Sequence, residues 1–128
     1  MSNKSKILIV DDETAFTEIL KLNLEATGKY EVCIENDPRF ALYTARRFKP
    51  SLVLLDIIMP QLEGPDVAME IRHDSNLHGT PIVYLTATVT HEEVDSQRGR
   101  IGGNQFVANP SSLKDLLTAI ESSLLESV

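Results

Sequence analysis

The chain has 128 residues, which suits one domain able to bury its own core and leaves little room for a second. Hydrophobic residues at 42% and charged residues at 24% match a soluble globular fold that needs neither disulfides nor a structural metal. The net charge of −7 excludes a broad nucleic-acid surface, which requires clustered Lys and Arg, and fits better with a carboxylate-rich site or an electrostatically selected protein partner. The single cysteine, Cys33, sits in the apolar run 30–34 and reads as a small core residue rather than a reactive thiol. Residues 1–6 are polar and the apolar stretch behind them covers only 7–10, too short for a signal-peptide core or a membrane span. The expected setting is cytoplasmic, with no membrane contact.

In chain order, the first expected strand is the apolar run 6–10. A helix follows with Phe16, Ile19, Leu20 and Leu24 on one face and Gly28 as its stop. Residues 30–35 read as a second strand. Asp37-Pro38 then supplies a cap and a first-turn proline for a helix striped by Ala41, Ala45 and Phe48. A third strand covers 51–55, and Gly64-Pro65 opens a third helix carrying Val67, Ala68 and Ile71. The fourth strand is 81–85. A fourth helix over 91–102 is weak, with only Val94 and Ile101 as large apolar residues and Gly99 costing about 1 kcal/mol relative to alanine. The fifth strand is 105–108. Ser111 or Ser112 caps a last helix lined by Leu113, Leu116, Leu117, Ile120 and Leu124. The strands lack polar alternation, so both faces of the sheet are buried. Five strands alternating with five helices predict an α/β domain over residues 1–128. Its form is a flavodoxin-like, doubly wound five-stranded parallel sheet of order 2-1-3-4-5 with helices on both faces.

The chemistry gathers where strands end. Asp11-Asp12-Glu13 follows the first strand and Asp56 follows the third. In a 2-1-3-4-5 sheet these strands are neighbours, so the acids meet in the crevice where open α/β sheets bind ligands. Asp-Asp ahead of a helix is often only a cap. A third aspartate closing a run as apolar as 52–55 is harder to set aside. Three crowded acids repel one another unless a cation intervenes, and Mg²⁺ is a hard ion suited to such oxygens. Thr86 ends the fourth strand with small Ala87 behind it, and Asn109-Pro110 closes the fifth, which holds Phe106.

Ile7-Leu8-Ile9-Val10-Asp11-Asp12-Glu13, Leu54-Leu55-Asp56-Ile57-Ile58-Met59-Pro60 with Gly64, Leu85-Thr86-Ala87, and Phe106 with Pro110 together resemble the response regulator receiver family of two-component signalling. The likeness runs over nearly the whole chain. It implies that Asp56 is the phosphoacceptor in a signalling protein that is not an enzyme. It also implies that Asp12, Asp56 and the Ile58 backbone carbonyl bind Mg²⁺ directly, with Asp11 acting through water. Thr86 and Ala87 would face the phosphoryl group, and Phe106 would turn inward in response. The implied partners are a sensor histidine kinase or histidine phosphotransfer protein upstream and an effector protein or output domain downstream, with no nucleic acid bound by this domain.

One position departs from the family pattern. The family carries lysine before the closing proline, and here that residue is Asn109. A hydrogen bond involving a charged group contributes about 1.5–3 kcal/mol, against about 0.5–1.5 for a neutral pair. Lys114 and His91 are the candidate stand-ins. The departure leaves a second reading, a degenerate receiver acting as a phosphorylation-independent interaction module. Other enzyme classes fit worse. The loop after the first strand is not a glycine-rich phosphate cradle. Aspartate-based phosphatases need a second acid at the position of Ile58. His73, His78 and His91 lie in polar surroundings and are assigned to the surface. The chain is compatible with a stand-alone regulator or with a receiver cut from a longer protein, the latter slightly favoured by its abrupt end.

Overall fold

The computed structural model describes residues 4–57, 59–86, 100–101, 104–108 and 113–126. The elements are β1 (Ser5–Val10), α1 (Thr14–Ala26), β2 (Tyr30–Glu35) and a single 3₁₀ turn (Pro38–Phe40) leading into α2 (Ala41–Phe48). Then come β3 (Leu52–Asp56), α3 (Gly64–His73), β4 (Ile82–Thr86), β5 (Arg100–Ile101), β6 (Asn104–Ala108) and a last helix, α4 (Leu113–Glu126). The sheet order is β2-β1-β3-β4-β6-β5. The first five strands are parallel, which is the expected doubly wound order.

One expectation fails at the sheet edge. Arg100 and Ile101, read from sequence as the end of a weak fourth helix, form a sixth strand antiparallel to β6, with Ile101 opposite Asn104. The residues between the two strands in sequence are Gly102-Gly103, a dipeptide that favours two-residue hairpins and that a helical reading overlooks. Residues 91–99 of the expected helix lie outside the described residues, as do the candidate caps Ser111 and Ser112.

Successive strand residues point to opposite faces, and among the described residues each face meets two helices. Leu8, Val10, Val53, Leu55 and Tyr84 pack with Ala41 and Ala45 of α2 and Val67 and Ile71 of α3. Ile7, Ile9, Leu52, Leu54 and Val83 pack with Leu20 and Leu24 of α1 and Leu116 and Ile120 of α4. Double coverage is why the strands read as unbroken apolar runs. Cys33 is half-buried against the α2–α3 layer, and burial raises its thiol pKa, which disfavours the reactive thiolate.

The helix stripes need two corrections. Ile19 is 60% exposed and Leu113 is 39% exposed, although both were expected on buried faces. Thr17 takes the inner position on α1 with its hydroxyl donating to the Thr14 carbonyl at 3.0 Å, so the helix is rolled to seat Leu20 and Leu24 and turn Ile19 outward. Hydrophobicity alone could not choose that roll. Gly28 ends α1 with φ 77°, a left-handed turn that glycine adopts without strain. Asp37 caps the 3₁₀ turn by accepting from the Arg39 N–H at 3.0 Å.

Leu54 is fully buried at the sheet centre, whereas Leu22 on α1 is 70% exposed. Leu54→Ala should cost about 2–5 kcal/mol and Leu22→Ala less than about 0.5. Urea unfolding should show the first as a lower midpoint at unchanged slope.

Asp74 tethers α2 to the end of α3. Its carboxylate accepts from Arg46 Nε at 2.6 Å and from the Asn76 N–H at 2.9 Å, and the side chain is 6% exposed. The Arg46 hydrogen bond, followed by that from Asn76, holds the Asp74 pKa below its ordinary 3.8. A depressed carboxyl pKa contributes stability that is present above the unfolded value and lost as pH falls through the folded one. Asp74→Asn should therefore lower the melting temperature at pH 7 and converge with wild type under strongly acidic conditions, as read by circular dichroism melts across pH.

Candidate functional site

Strand register builds the site. Val10 of β1 pairs with Leu55 of β3, so the next step along both chains sets Asp11 beside Asp56. Asp12 follows in the loop to α1. One carboxylate oxygen from each of Asp11, Asp12 and Asp56 lies within 4.8 Å of the others. Among the described residues this is the group of acids able to hold a metal ion, and it unites the three carboxylates expected from sequence. Asp11 is buried and Asp56 is half-buried, and the cluster opens to solvent through Asp12 and Asp56.

Crowding has an electrostatic consequence. The Asp11 pKa is raised from 3.8 to about 7, first by burial and further by the charges of Asp56, Asp12 and Glu13. A hydrogen bond from the Glu13 N–H to Asp11 Oδ1 at 2.9 Å opposes that rise.

The surrounding loops are tightly held. The Asp11 N–H donates to the Glu35 carbonyl at 3.2 Å, tying the loop to the end of β2. Beyond Asp56, the Ile57 N–H donates to Leu85 O at 3.3 Å and the Gly64 N–H donates to Ile57 O at 2.7 Å. A Cβ on Gly64 would collide with the Asp56 carbonyl oxygen and come within 2.8 Å of Ile57 Cα. Only glycine lets the start of α3 press this closely on the backbone that follows Asp56.

Asn36 and Thr17 were not singled out from sequence. The Asn36 amide donates from Nδ2 to the Asp11 carbonyl at 2.7 Å and to Thr17 Oγ1 at 3.1 Å. An asparagine after a strand reads as a turn former, and nothing local marks it as a partner of a residue 25 positions away.

Thr86 is the last residue of β4, one step beyond the Asp56–Leu85 pair, and Phe106 lies inside β6 opposite Tyr84. Ile58, Ala87, Asn109 and Pro110, together with the candidate stand-in His91, lie outside the described residues. Lys114 is exposed in the first turn of α4, and His73 and His78 are exposed as expected. A cavity of about 840 Å³ is lined by Ser5, Ser51 and Pro81 near the opposite ends of the strands, away from the carboxylates.

The model of the response regulator receiver domain matches residues 7–121. The chain belongs to that family. Its relative, the probable transcriptional regulator ycf27 of Pyropia yezoensis, is 40% identical over 124 residues, covering 96% of this receiver and 49% of that protein. The receiver thus spans about half the length of that relative. Vibrio cholerae chemotaxis protein CheY4 superposes with a TM-score of 0.80 at 26% identity, covering 94% of this chain and 98% of that one. The receiver domain of sensor histidine kinase PA1611 from Pseudomonas aeruginosa PAO1, whose structure has a magnesium ion coordinated in the active site cleft, shares the fold. Its TM-score is 0.79 at 24% identity, with coverage of 94% and 98%. Among the described residues of this receiver no helix is long and apolar enough to cross a membrane.

Because the folded Asp11 pKa lies above the unfolded one, its ionisation opposes folding fully above pH 7, and the penalty vanishes as pH falls toward 4. In buffer free of divalent cations, Asp11→Asn should stabilise the receiver at pH 8 by about 1–2 kcal/mol, allowing for screening by water. Thermal melts at pH 8 and pH 5 should show that gain shrinking at the lower pH.

Proposed function

We propose that this receiver accepts a phosphoryl group on Asp56, in a Mg²⁺-dependent manner, and relays the change to a downstream effector. In this reading the domain spans residues 1–128 and works in the cytoplasm. The donor is the phosphohistidine of a sensor histidine kinase or histidine phosphotransfer protein. The observation that carries the proposal is the mutual approach of the Asp11, Asp12 and Asp56 carboxylates to within 4.8 Å.

That donor set suits Mg²⁺ chemically. Two oxygens on one Mg²⁺ stand at most about 4.2 Å apart, twice the metal–oxygen distance, so small side-chain rotations would close the set. Asp12, Asp56 and the Ile58 carbonyl would hold the ion directly, with Asp11 reaching it through water. When bound, the ion supplies the positive charge that lets an anionic phosphoryl group approach an anionic carboxylate. A carboxylate oxygen of Asp56 attacks phosphorus, the bond from phosphorus to the donor imidazole breaks, and that nitrogen keeps the electron pair. The product is an acyl phosphate on Asp56. The Thr86 hydroxyl would hydrogen-bond the phosphoryl oxygens, Ala87 would leave them room, and Phe106 would turn in response.

Asn109 ahead of Pro110 offers at most a neutral hydrogen bond where the family has a lysine. Phosphorylation is expected to survive, since nucleophile and metal ligands are present, with weaker coupling to the output face. The effector is a separate protein or an output domain, in keeping with the transcriptional-regulator name of the longer relative. A net charge of −7 argues against nucleic acid binding by the receiver itself.

Treatment with a small phosphodonor and Mg²⁺, followed by intact mass spectrometry, should show uptake of one phosphoryl group. Asp56→Asn, or chelation of the metal, should abolish it. No uptake from small donors or from a cognate kinase would refute the proposal and leave an interaction module that signals without phosphate.

A further inference from the structure

We infer that Asn36 is a positioning residue for the carboxylate site, setting the orientation in which Asp12 meets a divalent cation. The inference rests on the metal-binding reading above and assigns a role to a side chain outside the acidic cluster.

The argument starts from the peptide unit joining Asp11 to Asp12. That unit is planar, so its carbonyl oxygen and the Asp12 N–H turn together. Its oxygen accepts from Asn36 Nδ2 at 2.7 Å. The second proton of the same amide reaches Thr17 Oγ1 at 3.1 Å, and that hydroxyl donates its own proton to the Thr14 carbonyl at 3.0 Å. Thr17 is fully buried. One side chain from the end of β2 therefore grips both the start of the β1–α1 loop and the first turn of α1. The backbone adds a second hold, because the Asp11 N–H donates to Glu35 O at 3.2 Å. The Glu13 N–H closes a local turn onto Asp11 Oδ1 at 2.9 Å.

The loop carries two of the three clustered acids, which repel each other and Asp56. Without the Asn36 amide, the carbonyl of the Asp11–Asp12 peptide unit loses this hydrogen bond, and the remaining contacts of the Asp11 N–H and Oδ1 do not fix it, so the unit can turn and let Asp12 swing away from its like-charged neighbours. The amide resists that relaxation while adding no charge, and it keeps the acids gathered for a cation. Residues that orient metal ligands in this way typically contribute about 10–100-fold to metal affinity.

Mn²⁺ serves as the probe, its free form followed by electron paramagnetic resonance at a temperature well below unfolding. Asn36→Ala should raise the Mn²⁺ dissociation constant by about tenfold and speed amide hydrogen exchange at Asp12 and Glu13. Thr17→Val, which removes the Asn36–Thr17 hydrogen bond and the Thr17 hydroxyl's own bond to the Thr14 carbonyl but spares the Asn36 bond to the Asp11 carbonyl, should leave the affinity close to wild type even if it lowers the melting temperature. If Asn36→Ala does not fold, Asn36→Ser, too short to reach the Asp11 carbonyl, should show the same weakening. A folded Asn36 variant that is less stable but binds Mn²⁺ as tightly as wild type would reduce Asn36 to a purely structural residue and overturn the inference. Wild-type protein that binds no Mn²⁺ would instead refute the metal site itself, and the role of Asn36 with it.

Discussion

Repulsion among three carboxylates held at one rim of a parallel sheet is the constraint around which this molecule is arranged. Parallel pairing leaves no choice about where β1 and β3 finish, because in-register neighbours that both run into aspartate must end side by side. A flexible chain would relieve the crowding by bending away. Here the strands that carry the acids are buried on both faces and cannot yield without opening the core. The conflict is therefore stored at the rim, where burial first, and then the charges of Asp56, Asp12 and Glu13, raise the Asp11 pKa to about 7. Local conflict supported by an otherwise consistent fold is the usual signature of a functional site.

The rest of the architecture serves that rim. Gly64 lets α3 begin directly against the backbone after Asp56, so the loop following the third acid is clamped by packing as well as by hydrogen bonds. Asn36 and the Glu35 carbonyl clamp the loop holding the other two. Helices α1 and α4 on one face and α2 and α3 on the other supply the stiffness against which these clamps work. A cavity of about 840 Å³ lies near the opposite ends of the strands, away from the carboxylates.

Fold class was legible because its signals are local and repeated. Short apolar runs closed by turn residues and separated by amphipathic stretches admit few topologies, and right-handed crossovers leave mainly the doubly wound one. The same signals failed where they were weak. Arg100 and Ile101 carried too little apolar material to register as a strand, and the expectation of a helix between strands took in their positions. Ile19 and Leu113 were misassigned because hydrophobicity marks which residues favour burial but not which way a helix is rolled.

By itself the sequence determined the alternating order of elements and the placement of Asp11, Asp12 and Asp56 at strand ends. These follow from residue type and spacing along one dimension. Tertiary structure alone decided that the three carboxylates come within 4.8 Å, that Asp11 is buried deeply enough to resist ionisation, and that Asn36 reaches back across 25 positions to hold the Asp11 carbonyl. Burial, register and hydrogen bonding between distant residues are properties of the packed chain, because each depends on what the neighbouring strand or helix brings alongside.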